Sequence, residues 1–215
     1  IYASSSSVYG VKDELNVHEE MELEPLTDYS RFKADCERIL SEYNNVTGFS
    51  SVTVRPATVC GYSPRQRLDV IVNILTNHAY HNNKILVNGG DQKRPNIHIQ
   101  DMTDLYLQLL VENFEKINGK IFNAGYENFT VSQLAEKIKS VVGDNVCVEK
   151  VETNDNRSYH VSSELIYREL GFKAKSSIED AAKELKEAFK NSRFKDSFSN
   201  PRWHNIKMMN SIQLK

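Results

Sequence analysis

An α/β chain built on parallel strands is what these 215 residues predict. Three observations point there. Short β-branched runs, such as Ser51-Val-Thr-Val-Arg55 and Lys120-Ile-Phe-Asn-Ala124, alternate with stretches of helical periodicity. Ser51 to Arg55 is short, β-branched and halted by Pro56, as a strand would be. Strand, helix and strand follow one another closely enough that a right-handed parallel crossover is the default connection.

Taken in order, Ile1 to Ser4 reads as the end of a buried strand, and Tyr9-Gly10 opens a loop carrying an acidic, flexible stretch from Asp13 to Glu24. Pro25-Leu-Thr-Asp28 starts a helix; Phe32, Cys36, Ile39, Leu40 and Tyr43 follow at helical spacing, and Asn44-Asn45 with Gly48 closes it. Ser51 to Arg55 is a strand ending at Pro56, residues 61–69 a polar loop, Val70 to Tyr80 a helix, and Lys84 to Val87 a strand. Ile97-His-Ile99 is a short strand, with His98 expected as a hydrogen-bonded core histidine. Asp101 opens an amphipathic helix through Leu105, Leu109 and Phe114, where a carboxylate complements the helix dipole. Lys120 to Gly125 returns to the sheet, Thr130-Val-Ser-Gln133 is a capping box leading a helix to about Val142, and Val146 to Val151 is a strand. Glu164 to Leu170, closed by Gly171, and Ile178 to Phe189, introduced by Ser176 and Glu179, are the last helices. Residues 191–215 read as a polar tail, extended or draped on the surface, with isolated aromatics Phe194, Phe198 and Trp203.

Twenty-seven basic against 29 acidic residues give a formal charge of −2, which offers no electrostatic reason for nucleic acid or an anionic membrane as partner. No apolar run reaches the 18 or more residues that span a bilayer. Cys36, Cys60 and Cys147 are odd in number and widely spaced, against a disulfide framework or structural zinc, and a reducing cytoplasm is the expected location. His78 and His81 lack acidic or sulfur companions, so no metal site is expected.

Chemistry concentrates in two segments. Tyr29 and Lys33 stand four apart on the first helix and so share a face. A cation beside a phenol favours the phenolate, which is what a tyrosine base requires. The serine-rich stretch Ala3-Ser-Ser-Ser-Ser-Val-Tyr-Gly10 can add a hydroxyl at the strand end.

These segments, together with Val54-Arg-Pro-Ala-Thr-Val-Cys-Gly61, Arg94-Pro-Asn-Ile-His-Ile-Gln-Asp101, Phe122-Asn-Ala-Gly125 and Arg157-Ser-Tyr-His-Val161, resemble in order and spacing the extended short-chain dehydrogenase/reductases that act on nucleotide-sugars, the NAD-dependent epimerases and dehydratases. The resemblance runs from Ile1 to about Phe189. It implies the C-terminal portion of a Rossmann-type parallel sheet with a smaller mixed α/β substrate-binding domain. The expected division is residues 1–63 and 97–127 for the first, 64–96 and 128–190 for the second, then the tail. The Gly-x-x-Gly-x-x-Gly turn that binds the dinucleotide pyrophosphate in such proteins does not occur in this sequence. The expectation is a fragment that begins in mid-sheet and, by itself, binds NAD poorly and is inactive.

The resemblance further implies Ser5, Tyr29 and Lys33 as catalytic residues, with Ser5 bridging the proton transfer and Lys33 also bonding the nicotinamide ribose. Pro56 and Ala57 join Tyr29 and Lys33 in binding NAD, or NADP; Thr58 faces the sugar, where relatives commonly carry asparagine. Arg94 and Arg157 are the expected diphosphate ligands, a task suited to a planar guanidinium. Family dehydratases follow the Ser/Thr with Asp and Glu, whereas this chain has Ser6 and Ser7, which turns the expectation toward epimerisation or another reaction passing through a 4-keto sugar. A reductase or other dehydratase, or a noncatalytic scaffold of the same fold, are the alternatives. Relatives of this kind are often dimers through the Tyr29 helix.

Overall fold

The computed structural model describes residues 1–213 apart from Leu15, Asn45, residues 154–157 and Tyr159. In chain order its elements are β1 (Tyr2–Ala3), α1 (Asp28–Glu42), β2 (Val52–Pro56), β3 (Thr58–Cys60), α2 (Ile71–Asn82), β4 (Lys84–Asn88), β5 (Lys93–His98) and α3 (Ile99–Val111). There follow α4 (Phe114–Ile117), β6 (Lys120–Ala124), β7 (Glu127–Thr130), α5 (Val131–Val142), β8 (Cys147–Val151), α6 (Glu164–Leu170), α7 (Ile178–Lys190) and α8 (Asn205–Ser211). The chain divides into two compact units, one of Ile1–Val59, Gln92–Phe129 and Asp155–Lys175, the other of Cys60–Asp91, Thr130–Asn154 and Ser176–Lys215.

The first unit holds the parallel sheet β1-β2-β6, with Tyr2 beside Thr53 and Val54 beside Phe122. Side chains alternate across a strand. Val52 and Val54 therefore pack with Leu105 and Leu109 of α3, Phe122 of β6 and Ile166 of α6, while Arg55 turns to the other face and meets Glu37 of α1. Helix α1 starts where Thr27 and Ser30 cap each other reciprocally. Its apolar stripe is not a core face: Phe32, Ile39 and Tyr43 are 67%, 46% and 50% exposed, and the buried positions are Ser30 and Glu37.

The acidic loop after Gly10 is anchored rather than flexible. Val17 is buried and bridges in parallel to Val161, and Glu24 N–H donates to Val8 O at 3.0 Å. Gly10 permits that return: its φ is +75°, and a Cβ there would sit 2.1 Å from Glu24 O. Gly10→Ala combines a disfavoured backbone conformation with a clash against main chain, and should destabilise by about 2 kcal/mol or more. Chemical denaturation measures this; a loss below about 0.5 kcal/mol would show that the loop yields easily.

The second unit pairs β4 with β8 in parallel and packs α2, α5 and α7 around them. Residues 191–215 correct the sequence expectation: they form a 3-10 turn at Pro201–Trp203 and helix α8, and Phe194 and Trp203 are buried with Leu68, Leu185 and Phe189. Trp203 Nε1 donates to Lys195 O at 2.9 Å and Leu68 N–H to Trp203 O at 2.8 Å, so the aromatics pin the tail down. The cap of α7 is Ser177 with Asp180, one residue beyond the expected pair. Two hydrogen bonds from Ser177 hold the Asp180 carboxyl at about 2, below its ordinary 3.8. A depressed acid contributes stability above its unfolded pKa and loses it as pH falls through the folded one. Replacing Asp180 by asparagine should therefore destabilise above pH 3.8 and converge with the parent as pH falls toward about 2, measurable by urea melts across that range.

Candidate active site

Ser5, Tyr29 and Lys33 lie at the C-terminal end of β1 and in the first turns of α1, within the first unit. Ser4 N–H still donates to Val54 O at 2.8 Å, after which the chain leaves the sheet. Ser5 is half-buried and caps the 3-10 turn Ser6–Tyr9: its Oγ accepts from Ser7 N–H at 3.2 Å and lies 2.9 Å from Ser7 Oγ. Tyr29 is 58% exposed. One turn on, Lys33 Nζ donates to Ala3 O at 2.7 Å and lies 5.6 Å from the Tyr29 ring centroid and 5.2 Å from that of Tyr2. Lys33 thus joins the phenol to the strand end two residues before Ser5.

At the end of β2, Pro56 pairs with Ala124, the buried Ala57 donates its N–H to Ala124 O at 2.7 Å, and the half-buried Thr58 opens β3. Arg94 is half-buried in β5, with Nη1 donating to Lys93 O at 3.2 Å. Arg157 falls outside the described residues. His98 is buried and its Nδ1 accepts from Gln100 N–H at 3.1 Å, capping α3. Asp101 is buried as well, and its carboxylate accepts from Lys175 N–H at 3.0 Å. Among the described residues no cluster of three or more His, Cys, Asp and Glu is placed to hold a metal.

Sequence reasoning missed the polar network beneath this site. The Glu37 carboxylate accepts Arg55 Nε at 3.0 and 3.2 Å and Arg55 Nη2 at 2.6 Å, and also the Ser4 hydroxyl. Arg55 Nη1 donates to Tyr9 Oη at 2.7 Å and to Glu19 O at 3.1 Å; Tyr9 Oη donates to Asn123 Oδ1 at 2.7 Å. The Glu19 carboxylate accepts from Asn123 N–H at 2.7 Å. Burial pushes the Tyr9 phenol and the Glu19 carboxyl up, against the lowering pull of Arg55. Burial acts to lower Arg55, but its bonds to Glu37 and Tyr9 prevail and raise it. Burial, with Cys36 and Glu37 nearby, also raises the Tyr2 phenol. The available signal was a single arginine amid Val-Thr-Val, which demands a buried partner.

A cleft of about 410 Å³ opens elsewhere in this unit, beside Tyr126, Asn128, Ser162, Tyr167 and Lys173. Among the described residues, none of those nominated lines it.

A parallel α/β sheet with serine, tyrosine and lysine at one strand end defines a chain of the extended short-chain dehydrogenase/reductase class. The model of the NAD dependent epimerase/dehydratase family matches residues 1–125, and the chain belongs to that family. It is 27% identical over 203 residues to the dTDP-D-glucose 4,6-dehydratase of Mus musculus, covering 88% of this chain and 55% of that protein. To the UDP-glucose 4-epimerase of Lactobacillus helveticus it is 22% identical over 162 residues, covering 66% and 48%. The chain thus spans about half the length of these relatives. A crystal structure of UDP-glucuronic acid 4-epimerase from Bacillus cereus, in complex with UDP-glucuronic acid and NAD, superposes with a TM-score of 0.77 over 88% of this chain and 60% of that one. At 22% identity that likeness shows the fold alone.

Proposed function

We propose that this chain carries the reactive centre of an NAD-dependent epimerase or related oxidoreductase acting on a nucleotide-diphosphate sugar through a 4-keto intermediate. The observation that carries the reading is the Lys33 ammonium, bonded to Ala3 O at 2.7 Å and lying 5.6 Å from the Tyr29 ring centroid. It places an ammonium beside the ring of an accessible tyrosine, one turn along the same helix, which supports that tyrosine as the acid-base group.

These residues fit the nicotinamide end of the cofactor: an exposed phenol and a neighbouring ammonium stand beyond the strand end, with the Pro56-Ala57 backbone alongside in the sheet order. NAD, when bound, supplies the hydride acceptor and donor. Tyr29 takes the proton of the sugar 4-hydroxyl, and Ser5, able to donate and accept at once, accompanies it. Lys33 holds the charge that Tyr29 develops and contacts the ribose. Thr58 faces the sugar, and Arg94 and Arg157 pair with the diphosphate. The second unit is read as contributing the substrate-binding domain. Both dehydratases and epimerases stand among the relatives; here Ser6 is buried and Ser7 bonds Ser5, so neither position offers a carboxylate to take a proton from carbon, which favours the epimerase reading.

The odd number and wide spacing of Cys36, Cys60 and Cys147 support a reducing cytoplasm, and the exposed apolar stripe of α1 supports a homodimer through that helix. The test is to incubate the polypeptide from the complete reading frame with NAD and a panel of nucleotide-sugars, follow products by NMR, and run Tyr29→Phe alongside. A Tyr29-dependent change at one sugar carbon supports the reading and tells epimerase from reductase. The absence of both turnover and NAD binding would favour a scaffold instead.

A further inference from the structure

We propose that Ser4 and Glu37 form a positioning pair that sets the register of the Tyr29–Lys33 helix against the strand end that leads into Ser5, an inference that rests on the catalytic reading above. Tyr29, Lys33 and Glu37 recur every four residues and so form one stripe along α1. Three successive residues of the strand meet that stripe. Tyr2 Oη donates to Lys33 O at 3.2 Å, Ala3 O accepts from Lys33 Nζ at 2.7 Å, and the Ser4 hydroxyl donates to the Glu37 carboxylate.

The three contacts are not equivalent. That of Lys33 is exposed and that of Tyr2 half-buried, so water can replace what either loses. Ser4 and Glu37 are 4% and 6% exposed, where a lost partner is not replaced. Glu37 cannot follow Ser4 if the strand shifts, because Arg55 of β2 grips both of its oxygens. The carboxylate is therefore a fixed point shared by α1, β2 and Ser4 at the end of β1, and Ser5 follows Ser4 in the chain. Neither Ser4 nor Glu37 is assigned a contact with substrate; their effect runs through the placement of Ser5, Tyr29 and Lys33. A displacement of about 1 Å among reacting groups costs on the order of a hundredfold in rate.

Ser4→Ala is the informative variant, since it removes the hydroxyl and leaves the ion pair intact. In the polypeptide from the complete reading frame, with NAD and the best nucleotide-sugar, the rate constant of NADH appearance in a single turnover should fall about 10- to 30-fold. That constant does not depend on the fraction of protein folded, so a purely stabilising hydroxyl would leave it unchanged. KM for the sugar should stay within about twofold. Ser4→Thr, which restores a hydroxyl, should recover most of the rate. An unchanged hydride-transfer rate in Ser4→Ala, with the parent active and Tyr29→Phe inactive, overturns the positioning role alone. An inactive parent overturns the catalytic reading, and this inference with it.

Discussion

Arg55→Ala is expected to destabilise the protein by about 3–5 kcal/mol. The substitution strands the Glu37 carboxylate, 6% exposed, with the Ser4 hydroxyl in place of a guanidinium that reached both its oxygens. Tyr9 Oη and Glu19 O lose a donor in the same step. Taking two charges out of water is costly, and the pair is sustained by good geometry and by satisfaction of its remaining groups. Removing one partner therefore costs far more than removing both. Arg55→Met combined with Glu37→Leu should recover most of the loss, to within about 1–2 kcal/mol of the parent. Urea denaturation of the single and double variants measures both effects. A single-variant cost below about 1 kcal/mol would mean that water reaches the pair and that the network is not the buried joint described above.

Tyr29→Phe is expected to lower turnover by about 10²- to 10⁴-fold, the range for loss of a general acid-base group. The same substitution should change stability by no more than about 0.5 kcal/mol, because the side chain is 58% exposed. That contrast is what gives the test its power: Arg55 lies within the fold and Tyr29 at its surface, so one variant reports on the scaffold and the other on chemistry. Rates from the NMR assay with urea melts of the same preparations decide it. A variant keeping more than a tenth of parental turnover would move the proton-transfer role away from Tyr29.

Much of this architecture follows from local signals that need no tertiary context. Thr27 before α1, the Thr130–Gln133 box before α5 and Gly171 after α6 each satisfy or end a helix with the residue types that backbone requires. The parallel pairing of β1 with β2 follows from the helix that connects them. Elements that exist only through partners were not legible. Strands β3 and β7 are short and pair with β5, which itself begins at Lys93, ahead of the expected Ile97, and includes Pro95 in the middle strand of the order β3-β5-β7. Phe194 and Trp203 look like stray aromatics in a polar tail; their burial is decided by Phe189 of the preceding helix and by Leu68, far away in the chain.

The site divides in the same way. Spacing alone puts Tyr29 and Lys33 on one face, and the contact of Lys33 with Ala3 O needed only the neighbouring strand. Glu37 was hidden because it lies among Asp35 and Arg38, where a charge reads as a solvated helix face. Its partner Arg55 stood in plain view within a motif, but motif and role are separate facts: Arg55, Tyr9 and Asn123 belong to blocks that mark the family, and here they bond one another.

The Tyr9–Asn123 hydrogen bond joins residues 114 positions apart, and the Arg55–Tyr9 and Glu37–Arg55 bonds tie in segments between them. Closing so long a loop is entropically uphill until other contacts have shortened the search. Helices and neighbouring-strand contacts, the Glu37–Arg55 pair at 18 residues apart among them, are expected to close before the Tyr9–Asn123 bond. Interactions absent from the folding transition state chiefly govern how fast the native state comes apart. The Tyr9–Asn123 bond, not the Glu37–Arg55 pair, is thus the long-range clasp of the network, and it bears on the lifetime of the native state more than on the speed of reaching it.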